Sequence, residues 1–210
     1  YLDYGATTPL DPRVAAAMEP WGVEKFGNPH SAHRWGYEAA AAVALAREQV
    51  AALLPAGGRV IFTSGATEAI NLATKGCGLP VSALATEHAA VLDCVEFLGG
   101  KILPIDPAHG EGRWGGGSCA ATDGGAALAR APAALAGPPP LGYTERSPSP
   151  SGVDGEELVC AMLINNEIGT IQPIAEVAEN VHAQNGLLLC DAVQAFGRIP
   201  IPTGPDLIAI

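Results

Sequence analysis

The sequence predicts an α/β fold, a mainly parallel, doubly wound sheet with flanking helices. Three observations carry that expectation. Short apolar runs alternate with helix-like segments, the pattern of strand–helix–strand units. Apolar residues make up 48% of the 210 residues and charged residues 16%, which suits a sheet covered on both faces. The run Gly186-Leu-Leu-Leu-Cys-Asp191 reads as a fully buried strand with a carboxylate at its carboxyl end, where open α/β sheets place their ligands.

The elements follow in order. Asp11-Pro12 opens a short helix, with Asp as N-cap and Pro at the first helical position. Gly27-Asn28-Pro29-His30 is a turn, after which Ser31 caps an Ala-rich helix running to about Leu54. Arg59 to Thr63 reads as a strand, and Ser64-Gly-Ala-Thr67 as a tight turn into a helix from Glu68 to about Thr74. Val81 to Thr86 is a strand, His88 to Leu98 a helix, and Lys101 to Ile105 a strand. Leu158 to Ile164 is a strand, Pro173 to about Asn185 a helix, and the run from Leu187 the next strand. Between them the pattern breaks. Gly115-Gly-Gly, Gly124-Gly, Pro138-Pro-Pro and Ser147-Pro-Ser-Pro-Ser crowd together with few large apolar side chains, so residues 108–157 are expected to form a disordered insertion. The domain reading is an N-terminal segment (1–30), then a ligand-binding domain in two parts (31–107 and 158–210).

The formal net charge is −11, with no basic run, which argues against nucleic acid or an anionic membrane surface as partner. No signal peptide and no uninterrupted 18-residue apolar span is visible. A soluble, cytoplasmic protein is expected. Cys77, Cys94, Cys119, Cys160 and Cys190 form no CxxC pair. Buried free thiols in a reducing compartment fit better than disulfides or a metal site.

Four groups of polar residues sit at or just beyond predicted strand ends. Thr63-Ser-Gly-Ala-Thr67-Glu offers first-turn N–H groups and a hydroxyl to an anion. It lacks the Lys-Ser/Thr pair of a P-loop, and an ordinary strand-to-helix turn reads the same way. His88 opens a helix and could stack on a flat ring or relay protons, or simply face solvent. Asn165-Asn166 offers amides to a ligand, or a polar turn. Asp191 and Gln194 offer a carboxylate and an amide. A buried carboxylate is costly without a cationic partner, and a protonated pyridinium nitrogen is one such partner. The alternative is a strand-end cap for the next turn. Taken together, the set matches phosphate, aromatic ring, phenolic oxygen and pyridinium of one cofactor.

Six segments then carry a specific resemblance. Tyr1-Leu-Asp-Tyr-Gly-Ala-Thr-Thr-Pro, Phe26-Gly-Asn-Pro-His-Ser, Phe62-Thr-Ser-Gly-Ala-Thr-Glu, Thr86-Glu-His, Asn165-Asn-Glu-Ile-Gly and Asp191-Ala-Val-Gln, in this order, resemble the cysteine desulfurases. These are the NifS-like branch of class V aminotransferases on the fold-type I pyridoxal-phosphate scaffold. The resemblance covers roughly residues 1–107 and 158–210, and implies that the chain is part of a large pyridoxal-phosphate-binding domain. It implies that Ala66 and Thr67 hold the phosphate, and that His88 stacks on the ring and assists proton transfer as the catalytic residue. It places Asn166 and Gln194 near the phenolic oxygen, Asp191 on the pyridinium nitrogen and Asn28 near the substrate. The implied activity converts L-cysteine to L-alanine and enzyme-bound sulfur for iron–sulfur cluster or thio-cofactor assembly. The implied partners are a second copy in a homodimer and a sulfur-acceptor or scaffold protein, with no metal.

The family's Schiff-base lysine lies in a Ser-x-His-Lys segment just after the strand that here ends at Ile210, and its sulfur-accepting cysteine and carboxylate-binding arginine lie later still. Lys25, Lys75 and Lys101 are the only lysines, and none matches that motif. Nor does Cys119 match the sulfur-accepting position. The chain, starting at Tyr1 and stopping in the apolar run Asp206-Leu-Ile-Ala-Ile210, is expected to be a fragment or a faulty gene model, without desulfurase activity of its own. A selenocysteine lyase or a cysteine sulfinate-type relative shares every one of these motifs. Another class V aminotransferase fits less well, because Asn165-Asn-Glu-Ile-Gly and Gly27-Asn-Pro-His-Ser resemble the desulfurases. A non-catalytic remnant is a further alternative, and a nucleotide-binding module the weakest, since no P-loop is present.

Overall fold

The computed structural model describes residues 1–55, 58–104 and 156–210. In chain order the elements are α1 (Pro12–Val23), α2 (Arg34–Ala51), α3 (Ala66–Gly76), β1 (Val81–Leu84), α4 (Ala89–Phe97), β2 (Lys101–Leu103), β3 (Leu158–Met162), α5 (Ile174–His182), β4 (Leu187–Asp191) and β5 (Leu207–Ala209). Nearly all of the expected insertion, residues 108–155, lies outside the described residues, as does Cys119.

The strands form one sheet in the order β2-β1-β3-β4-β5, each neighbouring pair parallel. The chain winds outward from β1 to β2, then returns to β3 on the other side of β1 and winds the opposite way. Right-handed crossovers on a sheet that reverses direction place their helices on opposite faces. The core shows this directly. Leu158 and Cys160 of β3 join Ile70 of α3 and Val91 and Val95 of α4. The alternate residues Val159 and Ala161 join Ile174, Val177, Ala178 and Val181 of α5. All five residues of β3 are buried, so its continuous apolar run is what a strand with two covered faces requires.

Several boundaries differ from the sequence reading. Asp11 caps α1 as expected, its carboxylate accepting from Arg13 N–H at 2.8 Å. The cap of α2 is His33 rather than Ser31: His33 Nδ1 accepts from Gly36 N–H at 3.2 Å. Ser31 lies in the preceding turn, its N–H donating to Asn28 O at 3.0 Å, and the helix starts only at Arg34, three residues later. A Cβ on Gly36 would lie 2.1 Å from Ser31 O, so that turn folds against the helix only because residue 36 has no side chain. The helix ends at Ala51, short of Leu54.

Residues 59–63 form no strand. Their β-branched and aromatic character suits a strand, but a strand needs a neighbour, and Ile61 and Phe62 stay 60% and 48% exposed. The segment is held instead by Arg47, whose Nε donates to Val60 O at 3.0 Å and whose guanidinium sits 5.3 Å from the Phe62 ring centre. The remaining elements fall within a few residues of expectation, β1 and β3 each stopping two residues early.

Candidate active site

The winding reverses between β1 and β3, and the region beyond their carboxyl ends is where doubly wound sheets form the crevice that binds ligands. Two hydrogen bonds cross it. Asn165 Nδ2, just after β3, donates to Thr86 O, just after β1, at 2.7 Å. Met162 N–H donates to Glu87 Oε1 at 2.8 Å. Asn165 also accepts from Glu167 N–H and Ile168 N–H at 2.8 and 2.9 Å, which shapes the turn that presents Asn166. Buried Asn165 is thus a tie between strands, whereas Asn166 is exposed and takes part in no hydrogen bond among the described residues.

Asp191 closes β4, in register with Met162 of β3. Only 5% of it is exposed. Its Oδ1 accepts from Val193 N–H at 3.0 Å, and Oδ2 has no hydrogen-bond partner among the described residues. Burial raises its carboxyl above the ordinary aspartate value, opposed by the Val193 N–H and by the nearby His88. His88 is the N-cap of α4, its Nδ1 accepting from Ala90 N–H at 3.1 Å. That bond leaves Nε2 to carry the ring proton. The ring is exposed, so His88 both starts a helix and faces the crevice rim near Asp191.

Glu87 has no role in the sequence reading beyond preceding His88. It is buried at 6% exposure, and its Oε2 is fully enclosed with no partner among the described residues. Burial pushes its carboxyl up to about 8, the Met162 N–H opposing and Asp191 adding to the rise. No local signal in the sequence separates a Glu that folds inward from a solvated one; its partner is 75 residues away.

The Thr63–Glu68 motif stands at the start of α3, not at a strand's end. Four residues separate α3 from β1, so the C-terminus of α3 sits near the amino edge of the sheet and its N-terminus points toward the carboxyl edge. Glu68 Oε2 accepts from Ser64 N–H at 2.6 Å, which lowers the carboxyl of Glu68. The N–H groups of Ala66 and Thr67 and the Thr67 hydroxyl engage no partner among the described residues. Gln194 is committed on both sides: Nε2 donates to Gly5 O at 2.9 Å, and Oε1 accepts from Arg198 Nη1 at 3.0 Å. It therefore ties the N-terminal segment to the end of β4. Asn28 is exposed, its Oδ1 accepting from His30 N–H at 2.9 Å, and no described hydrogen bond joins it to the strand ends.

The three lysines lie elsewhere. Lys25 pairs with Glu38 at 2.8 Å, Lys75 sits over the Phe97 ring at 4.9 Å, and Lys101 begins β2 at the amino edge. An apolar groove of about 460 Å³ near α1 and α2, lined by residues including Trp21, Phe26 and Val43, shares no residue with the crevice. Cys77, Cys94, Cys160 and Cys190 are free thiols. Burial pushes the Cys190 thiol up to about 12 and Cys160 higher still, so both are inert. Among the described residues no group of His, Cys, Asp and Glu could hold a metal ion.

A parallel, doubly wound sheet with a buried acid and a helix-start histidine at its winding reversal defines an α/β protein of the class whose ligand sites lie at the carboxyl edge of the sheet. The chain belongs to the aminotransferase class-V family, whose family model matches residues 1–103 and 152–205. It is 39% identical over 224 residues to a mitosomal cysteine desulfurase of Trachipleistophora hominis, covering 100% of this chain and 45% of that one. It is 37% identical to the cysteine desulfurase IscS of Rickettsia akari, covering 96% and 45%. A solved NifS-like protein superposes with a TM-score of 0.68 at 31% identity, covering 97% of this chain and 51% of its own. The chain thus spans about half the length of the relatives it matches. The doubly wound fold expected from the sequence is the one found.

Proposed function

We propose that the protein carrying this segment is a pyridoxal-phosphate-dependent cysteine desulfurase. It takes L-cysteine to L-alanine and hands the sulfur, held on the enzyme, to an acceptor or scaffold protein for iron–sulfur cluster or thio-cofactor assembly. The observation that supports this best is Asp191: a buried carboxyl with one oxygen uncommitted among the described residues and no cation bonded to it, in a chain whose relatives are named cysteine desulfurases.

The residues present fit the cofactor. A buried acid of this kind lacks the positive partner that a protonated ring nitrogen offers. The uncommitted first-turn N–H groups of Ala66 and Thr67, with the Thr67 hydroxyl, suit a phosphate. When bound, pyridoxal phosphate supplies the electron sink for breaking bonds in the amino acid. His88 would cover the ring face, with Nε2 left to hold a proton by the bond of Nδ1 to Ala90 N–H. Asn166 and the second N–H of Gln194 serve the phenolic oxygen, and Asn28 serves the substrate. Residues 31–107 and 158–210 form two parts of one cofactor domain, a reading supported by the pairing of β1 with β3. The protein works as a homodimer. Its setting is a reducing, cytoplasmic one, in keeping with four free thiols among the described residues; no helix of the described residues is long and apolar enough to cross a membrane.

Lys25 is paired with Glu38, Lys75 lies over Phe97, Lys101 starts β2 at the opposite edge, and none matches the family's lysine motif, so these 210 residues by themselves are expected to hold the cofactor without a covalent bond and not to turn over. The test is to supply L-cysteine to the full protein with a thiol reductant and count products. Alanine and sulfide in equal amounts are expected. Turnover of selenocysteine alone, or transfer of the amino group instead of loss of sulfur, contradicts the assignment.

A further inference from the structure

Among the described residues, Glu87 is the one buried carboxyl at the crevice that the proposed function leaves unused. Its Oε1 takes the Met162 N–H at 2.8 Å, while Oε2 is sealed from solvent and bonded to nothing among the described residues. No cation pairs with it among the described residues. A carboxylate there would be a buried charge with one bond and no counter-ion, which is costly in a low-dielectric interior. A proton on Oε2 removes that charge and leaves the Met162 bond intact, because Oε1 remains an acceptor.

The groups that face Glu87 all favour this. From β4 come Asp191 and the Cys190 thiol, and from β3 the Cys160 thiol; each interacts electrostatically with Glu87. His88, next in sequence at the start of α4, is coupled to Asp191 instead. The residues of α5 that cover the other face of the sheet here are apolar. Two carboxyls in so dry a corner share one negative charge more cheaply than they hold two.

We propose that Glu87 is a positioning residue: a protonated carboxyl beside Asp191 that leaves Asp191 as the single negative charge at the base of the crevice. Acting through Asp191, it sets how strongly the crevice holds a proton on the ring nitrogen of a bound pyridine. The inference rests on the cofactor reading given above. The rise of the Glu87 carboxyl to about 8 agrees with it. Ionising Glu87 adds a second negative charge next to Asp191, so the electronic environment of the ring changes as pH rises through that value.

Two measurements on the full protein test this. In the cofactor-free form, carbon-13 NMR follows the Glu87 carboxyl carbon, assigned through its bonds, with pH. A midpoint near 8 is expected, and a midpoint in the ordinary glutamate range overturns the proposal. This arm needs no variant and stands even if Glu87→Gln does not fold. In the cofactor-loaded form, the absorption band of bound pyridoxal phosphate is followed with pH in wild type and in Glu87→Gln. The variant should match wild type at low pH and lose the part of the band shift that develops near pH 8. Superimposable profiles mean that Glu87 is structural only, which also overturns the proposal. A failure of the cofactor reading looks different: wild type takes up no pyridoxal phosphate, while the carbon-13 titration still finds Glu87 protonated at neutral pH.

Discussion

Asp191 illustrates what single residues disclose. An apolar run that ends in a carboxylate is visible in the sequence, and the strand it predicts is β4, with Asp191 as its last, buried residue. Asp191→Asn keeps the shape and the Val193 bond but removes the charge. Loss of a charge-assisted bond to the ring nitrogen should weaken pyridoxal phosphate roughly ten- to hundredfold. Fluorescence titration reads this, and unchanged affinity would place the ring elsewhere. Glu87 and Asn165 were the less legible residues. Both look like ordinary polar positions after a strand, and both are defined by partners on the far side of the crevice, 75 and 79 residues away in sequence. Gln194 shows a third case: its amide was legible as a polar group, but its bond to Gly5 could not be foreseen from spacing.

At the scale of elements, whatever depends on neighbours in sequence was readable. Asp11-Pro12 marks a helix start because cap and first turn are adjacent. The five-residue apolar run of β3 marks a strand because both its faces are covered. What failed depended on distant partners. Residues 59–63 have strand-forming side chains but no neighbouring strand among the described residues, and His33 rather than Ser31 caps α2 because the turn at Asn28 delays the helix start to Arg34. The two turns that build the crevice are joined by the Asn165 side chain. Asn165→Ala removes its bond to Thr86 O and leaves the N–H groups of Glu167 and Ile168 without their acceptor. A loss of about 2–4 kcal/mol is expected from two or three broken bonds at a buried position. Urea unfolding measures it, and a loss below about 0.5 kcal/mol, the level of an ordinary surface substitution, would show that the tie does not matter.

At the scale of the molecule, strand order β2-β1-β3-β4-β5 explains why the polar residues meet at all. Strand–helix alternation predicts parallel pairing, but not which strand lies at the reversal; that follows only from the pairing of β1 with β3 across a long stretch of chain. The same burial that forms the crevice has a global consequence. The Glu87 carboxyl is raised from 4.5 to about 8 in the folded protein. A raised carboxyl contributes its stability in full below the unfolded value, and loses it as pH climbs through the folded value. Wild type should therefore lose a few kcal/mol relative to Glu87→Gln between pH 4.5 and about 8, and no more above that. Asp191 adds a loss of the same sign in both proteins, so it cancels in the comparison. Parallel stability curves for the two proteins would contradict this.

The most direct test of the whole account is a crystal structure of the protein with pyridoxal phosphate bound. The phosphate should lie on the first turn of α3 at Ala66 and Thr67, and the ring should lie under His88 with its nitrogen on Asp191. A ring bound anywhere other than the carboxyl ends of β1, β3 and β4, the apolar groove near α1 and α2 included, would contradict it.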